Sequence, residues 1–375
     1  MKNFKAGKYV NQGTYKSFRP TTLNRQWIVD DMPVIALLSK ADRCLGRLDM
    51  YSEHVDIDLF IQTHIAKEAT QSSKIEGTEI NMEEAFLNET EISSEKRNDW
   101  EEVQSYIAAM NEAVNLLHAL PFSTRLIKQA HKILLHGVRG QHKQPGELRK
   151  SQNWIGGTTL GNAIFVPPTH TELPDLMSDI EYFAHAQNDN IPDLIKIALI
   201  HYQFETIHPF LDGNGRTGRL LITLYLVSRG ILKRPILYLS DFFERNRMLY
   251  YDHLMRVRTH DDIAEWLKFF LTGIAETAQK GTTTLEKILQ LKQSIEIQIN
   301  MLGKRGVDAR ILLDYLYKKP VISVAKAISL INKTPQTVYS LISYLEKVGV
   351  LKEITGAQRN RLYSFEPYIS LFEAL

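Results

Sequence analysis

One segment constrains this chain more than any other. Between Ile191 and Val227, two apolar helical repeats are separated by His208-Pro-Phe-Leu-Asp-Gly-Asn-Gly-Arg-Thr-Gly-Arg219. The first repeat places Ile191, Leu194, Ile195, Ala198, Leu199 and Tyr202 at the i, i+3, i+4, i+7 spacing of one buried helix face. The second runs from Leu220 to Val227 and stops at Gly230. A fold that accepts this sequence must hold a polar, glycine-rich turn between two core helices.

Helical spacing dominates the rest of the first 300 residues. It recurs over Val34–Asp49, Asp58–Glu76, Trp100–Leu120, Leu126–Leu135, 171–187, 240–258 and 261–300. Residues 1–30 read as an extended, polar lead-in. In 145–168, the β-prone runs Asn153-Trp-Ile155 and Ala163-Ile-Phe-Val166 flank Gly156–Asn162, which predicts a hairpin on a helical body. No βαβ alternation appears, so the fold class is mainly α. The chain has 375 residues, enough for two or three domains, and 44% hydrophobic residues, too many for disorder. Its single cysteine, Cys44, excludes an intramolecular disulfide and cysteine-rich zinc sites. The polar start and the lack of a long apolar run lead us to expect no membrane partner and a cytoplasmic location.

Two familiar motifs nearly fit the turn. Gly213, Gly215 and Gly218 satisfy G-x-G-x-x-G, but that pattern binds dinucleotides only between a strand and a helix, and a helix precedes it here. A P-loop needs Lys and then Ser or Thr after its last glycine, where this chain has Arg219-Leu220. The physics shared by both survives. A glycine turn that opens a helix offers backbone N–H groups and the positive end of the helix dipole to an anion. Asn214 can add donors to a phosphate, and Arg216 and Arg219, three apart on a helix, can clamp consecutive phosphates. Asp212 is a hard oxygen ligand suited to Mg²⁺ bridging phosphates, and His208 is a base that titrates near neutrality. Together these groups describe phosphoryl or nucleotidyl transfer. The competing metal set, His201, Glu205 and His208, lacks the H-E-x-x-H spacing and any further ligand. His131, His136, His253 and His260 read as ordinary helix residues.

HPFLDGNGRTGR resembles the signature of the Fic (filamentation-induced-by-cAMP) domain family, H-x-F-x-[D/E]-G-N-G-R-x-x-R, at every specified position. The likeness extends through GELRKSQNWIGG to FVPP and covers most of residues 20–300. It implies an all-α fold and transfer of AMP from ATP to a hydroxyl of a target protein, with Mg²⁺ and pyrophosphate as leaving group. By the same resemblance His208 would be the base and Asp212 the Mg²⁺ ligand. Gly213, Asn214 and Gly215 would cradle the α- and β-phosphates. Arg216 would meet the leaving diphosphate and Arg219 the γ-phosphate, while Phe210 would anchor the turn. Thr159, Leu160, Asn162 and Ile164, within 157–166, would form a flap that pairs with a target strand. Tyr250 and Tyr251 resemble residues that line the adenine pocket, although aromatic pairs on helices also commonly pack in cores. Ser72-Ser-Lys-Ile-Glu76-Gly77 is similar to the family's inhibitory motif, so Glu76 would pair with Arg219 and block the γ-phosphate.

Charge divides the chain near Gly303. Overall, 45 Lys and Arg face 43 Asp and Glu, yet residues 304–364 hold eleven basic against four acidic residues. There the spacing predicts helices at Ala309–Tyr317, Val324–Ile331 and Thr334–Val348, then two short strands around Thr355–Asn360. The pattern is similar to a winged helix-turn-helix, with Thr334, Gln336, Thr337 and Ser340 facing a groove of DNA. Its basic surplus suits DNA through residues 333–362, and the alternative is protein contact or dimerisation. The expected division is 1–95, an N-terminal helical region with the inhibitory helix; 96–303, the catalytic core and trailing helices; and 304–375, the winged helix. The rival function is a DNA-binding regulator whose Fic core senses a nucleotide. A further rival transfers another phosphate-containing group, such as UMP, or removes AMP. The target, its acceptor residue and the oligomeric state stay open, with self-modification and a homodimer both compatible with the family layout.

Overall fold

The computed structural model describes residues 4–54, 57–137, 141–187, 191–303 and 305–373. Lys304 and the three residues that open the expected lead-in lie outside them. The lead-in is more ordered than expected. Strands β1 (Gly7–Asn11) and β2 (Lys16–Pro20) pair antiparallel from Gly7↔Pro20 to Asn11↔Lys16. The turn takes Gly13 at a φ of 88°, a conformation that glycine adopts without strain. Phe18 then packs its buried ring 5.7 Å from Phe165, which fastens the hairpin beside the site described below.

Among the described residues ten α-helices follow, and the chain is mostly helical. They are α1 (Met32–His54), α2 (Ile57–Ile75), α3 (Arg97–Leu116), α4 (Thr124–Leu134), α5 (Leu173–His185), α6 (Asp193–Ile207), α7 (Asn214–Ser228), α8 (Ser240–Arg245), α9 (Arg247–His260) and α10 (Ile263–Asn300). Caps fix several ends. Ser123 Oγ accepts from the Leu126 N–H at 3.3 Å to start α4, and Gly77, at a φ of 106°, ends α2.

Helix α6 departs from the one-face pattern of its sequence. Every residue from Leu194 to Ile207 is buried, as expected of a helix enclosed on all sides. Its polar members find partners within the protein. His201 bonds the Gly218 carbonyl and the Tyr250 hydroxyl, each at 2.9 Å, and Gln203 donates to the Thr21 carbonyl at 3.0 Å. Both nitrogens of His201 are thereby used, so it offers nothing to a metal.

The C-terminal part runs α11 (Arg305–Lys318), β3 (Val321–Ser323), α12 (Val324–Ile331), α13 (Pro335–Lys347), β4 (Lys352–Glu353), β5 (Leu362–Ser364) and α14 (Glu366–Glu373). The three strands form an antiparallel sheet in the order β3-β5-β4. Strand β3 and helix α14 add to the elements expected there. This part is not held at a distance. Phe60 of α2 meets Tyr317 of α11 edge-on at 5.4 Å, and His64 of α2 meets Phe372 of α14 at 4.8 Å. No helix among the described residues is long and apolar enough to cross a membrane.

Candidate active site

The site begins where α6 ends. His208 caps it with a φ of 49°, in the left-handed region that β-carbons disfavour. Its carbonyl accepts from Arg149 Nε at 3.0 Å and from Asn153 Nδ2 at 3.1 Å. Arg149 is buried and also donates to the Ser151 and Pro168 carbonyls, while its own N–H donates to the Pro209 carbonyl at 2.9 Å. These contacts hold a strained backbone in one conformation. Burial, reinforced by Arg258 and Arg149, pushes the His208 imidazole down to about 3. It is therefore neutral at physiological pH, the form that accepts a proton, and its Nδ1 is buried without a partner.

The loop from Pro209 to Gly213 is held from two sides. The Phe210 N–H donates to Asn214 Oδ1 at 2.8 Å, and Asn214 Nδ2 donates to the Phe210 carbonyl at 2.9 Å. The Asn214 side chain thus closes the loop, whereas sequence reasoning gave its donors to a phosphate. Beneath, His131 stacks on Phe210 with ring centroids 3.6 Å apart. Its Nδ1 accepts from the Gly146 N–H at 2.9 Å, which leaves Nε2 to donate to the Asp212 carbonyl at 3.0 Å. His131, an ordinary helix residue by its spacing, is a support of the loop.

Gly213, at a φ of 70°, caps α7, so the first turn of α7 presents backbone N–H groups at the loop. Asp212 stands exposed at the tip. No group of three His, Cys, Asp or Glu side chains among the described residues converges as a metal site. One carboxylate fits Mg²⁺ only in the manner of a nucleotide-bound ion, with phosphates and waters as the other ligands.

Both motif arginines are engaged by carboxylates from other helices. Arg219 donates from Nε to Ser72 Oγ at 2.8 Å, and from Nη2 to the Ser72 carbonyl at 2.9 Å and Glu76 Oε1 at 2.6 Å. Burial alone would raise the Glu76 carboxyl, but Arg219, Arg216 and His208 outweigh it and hold it below the usual range. Arg216 donates from Nη1 to Glu102 Oε2 of α3 at 3.0 Å. A methyl group on Gly215 would lie 2.5 Å from Glu76 Oε1, so glycine is what lets α2 approach this turn.

The remaining expected residues divide. Tyr250 is fully buried, bonded to His201 and stacked on Phe243 at 4.5 Å, which makes it core. Tyr251 beside it is 40% exposed. The expected hairpin is reduced to one bridge, Ile155↔Phe165. Gly156 and Gly157, at φ of 68° and 72°, turn the chain away directly after Ile155, so no ladder forms. Leu160–Asn162 is a single 3₁₀ turn, and Asn162 Oδ1 accepts from the Thr158 and Thr159 N–H groups at 3.0 and 2.8 Å. Ile164 is exposed beside it. Sequence reasoning gave no role to Arg149, Asn153, Arg258 or Glu102. The only signal for the first two was their place in GELRKSQNW; the others had none.

Parts of this chain are similar to known proteins. A profile described as Fic/DOC family N-terminal matches residues 35–115, and one described as Fic/DOC family matches 121–226. Curated relatives include proteins named protein adenylyltransferase Fic. The one from Drosophila mojavensis is 28% identical over 53% of this chain and 35% of its own length. The one from Drosophila yakuba is 29% identical over 52% of this chain and 35% of its own length. The match thus spans about a third of those relatives. Among solved structures, a Fic family protein from Desulfovibrio desulfuricans shares the fold with a TM-score of 0.55 at 16% identity, over 91% of this chain and 98% of that one. Fic-1 from C. elegans does so with a TM-score of 0.51 at 19% identity, over 69% of this chain and 74% of that one.

Proposed function

Because residues 35–115 and 121–226 belong to the Fic/DOC family, we propose that the chain is a protein adenylyltransferase restrained by Glu76. The observation that carries this reading is the meeting of a neutral, rigidly held His208 with an anion nest whose distal arginine is already paired to a carboxylate. In the reaction, a hydroxyl oxygen of the target attacks the α-phosphorus of ATP. The bond from that phosphorus to the bridging oxygen breaks, and pyrophosphate leaves. The hydroxyl proton goes to His208, whose buried surroundings keep it unprotonated beforehand. The N–H groups at the start of α7 bind phosphate oxygens, and Arg216 offsets charge on the diphosphate. Asp212 would hold Mg²⁺ against the phosphates, where the ion supplies charge neutralisation.

Arg219 can serve the γ-phosphate only by exchanging Glu76 for it. The exchange is costly because the pair is short and the Arg219 side chain is 1% exposed, although that of Glu76 is 37% exposed. Its failure to occur would leave ATP misaligned, which is the proposed brake. The test uses ATP labelled at the α-phosphate, with Mg²⁺, on wild type, Glu76→Gly and His208→Ala. We expect Glu76→Gly to raise label in protein at least tenfold and His208→Ala to abolish it, by analogy with loss of a general base worth about 10²–10⁴-fold. Label that does not depend on His208 would sink the reading.

For residues 304–375 we read a winged helix-turn-helix. In its favour, Gln336, Thr337 and Ser340 are exposed in the first turns of α13, and Arg359 and Arg361, between β4 and β5, are exposed as well. Salt-dependent binding of duplex DNA, lost in Arg359→Ala/Arg361→Ala, is the outcome that would make this surface nucleic-acid binding.

A further inference from the structure

The two motif arginines are in opposite states. A guanidinium grips a phosphate best with its Nε and Nη2 edge, two parallel donors in one plane. In Arg219 that edge is filled, Nε by Ser72 Oγ and Nη2 by the Ser72 carbonyl and Glu76. In Arg216 the hydrogen bond is on the other side. Glu102 takes Nη1 at 3.0 Å, while Nε is buried with no partner among the described residues. The pair is well enclosed, with side-chain exposures of 7% for Arg216 and 21% for Glu102. A buried, unpaired donor on a charged group is unfavourable, and a phosphate oxygen would satisfy it.

From this we propose that Glu102 is a positioning residue. It fixes Arg216 by Nη1 and so keeps the Nε edge open for the leaving diphosphate. The inference rests on the adenylyltransferase reading and adds to it a residue outside the motif, contributed by α3. Glu102 is therefore not a second brake like Glu76. Glu76 occupies the phosphate-binding edge of its arginine, and Glu102 leaves that edge vacant. Removing the first should release the site; removing the second should weaken it.

The experiment measures binding of pyrophosphate and of AMP separately, by calorimetry with Mg²⁺, in the Glu76→Gly background that opens the site. Glu102→Gln keeps the shape of the side chain and removes its charge. We expect it to weaken pyrophosphate about tenfold, the worth of one charge-assisted hydrogen bond, and to leave AMP unchanged. In a background that also carries Arg216→Ala, Glu102→Gln should change neither, since its effect passes through that arginine. Tighter pyrophosphate binding, equal losses for AMP and pyrophosphate, or no change would each overturn the proposal. Label transfer from ATP, followed in the same variants, reads the adenylyltransferase assignment by itself. A pyrophosphate-specific loss without any transfer would leave Glu102 in place and remove the enzyme reading.

Discussion

Glu205 lies one helical turn before His208 and is the least comfortable residue in the site. It is buried, one carboxylate oxygen has no hydrogen bond, and that oxygen abuts Gly218. Burial pushes its carboxyl from 4.5 up to about 7, with Glu76 adding to the rise and Arg219 and Arg258 opposing it. The sign for stability follows directly. Between those two values the native protein keeps a proton that the unfolded chain releases, so stability falls as pH rises through this window. Glu205→Gln removes the penalty. Its melting temperature should exceed wild type by a few degrees above pH 7, and the advantage should vanish below pH 4.5, where both forms are neutral. A constant difference across pH would refute the assignment. None of this was readable from the chain, where Glu205 figured only in the rejected metal set with His201 and His208.

At the scale of elements, the crossing of α6 and α7 gives the last glycine of the motif its role. A methyl group on Gly218 would collide with the Glu205 carboxylate and lie 3.2 Å from Phe204 Cδ1. Gly218 also lends its carbonyl to His201. The sequence placed Gly213 and Gly215 in the expected phosphate turn and gave Gly218 a part only in the rejected dinucleotide motif. The third permits helix contact. Gly218→Ala should therefore cost about 1–3 kcal/mol through overpacking, read as a lower melting temperature. An unchanged melt would mean that α6 can shift freely. The extent of α6 and the end of α7 were legible because Pro209 and Gly230 interrupt a strong apolar period; α7 begins at Asn214, six residues before its apolar run, inside the segment read as turn. The pairing of 153–155 with 163–166 is shorter than their strand-rich composition suggests, because Gly156 and Gly157 take backbone angles that end it after one residue.

At the scale of the whole molecule, helix α2 is shared between the two parts of the chain. Helix α2 carries Glu76 at its end, and its outer side is covered by the C-terminal part. Phe60 contacts both Tyr317 and Tyr368, and Lys67 Nζ donates to the Phe372 carbonyl at 2.5 Å. Ser364 Oγ adds a bond of 2.6 Å to Glu83 Oε1, just beyond α2. Residues 305–373 therefore brace the segment that holds Arg219. Tyr368→Ala should destabilise the protein by about 3–5 kcal/mol, as for other buried aromatic truncations, and speed hydrogen exchange of α2 amides ahead of those in α6. Equal exchange in both helices would count against the bracing. Charge alone marked a boundary near Gly303, and packing spans it.

What the sequence by itself determined was local: the helical class, the glycine turn between two apolar helices, and the polar residue types that the turn gathers. Helical period and turn chemistry are written in neighbouring residues, so they survive without the fold. The tertiary structure decided which of those groups are free. It assigned Asn214 to loop closure and Tyr250 to the core, and paired Arg219 with Glu76 and Arg216 with Glu102 across 143 and 114 residues of chain. Those pairings depend on which helices meet, and burial then fixes their charge states; no local pattern records either.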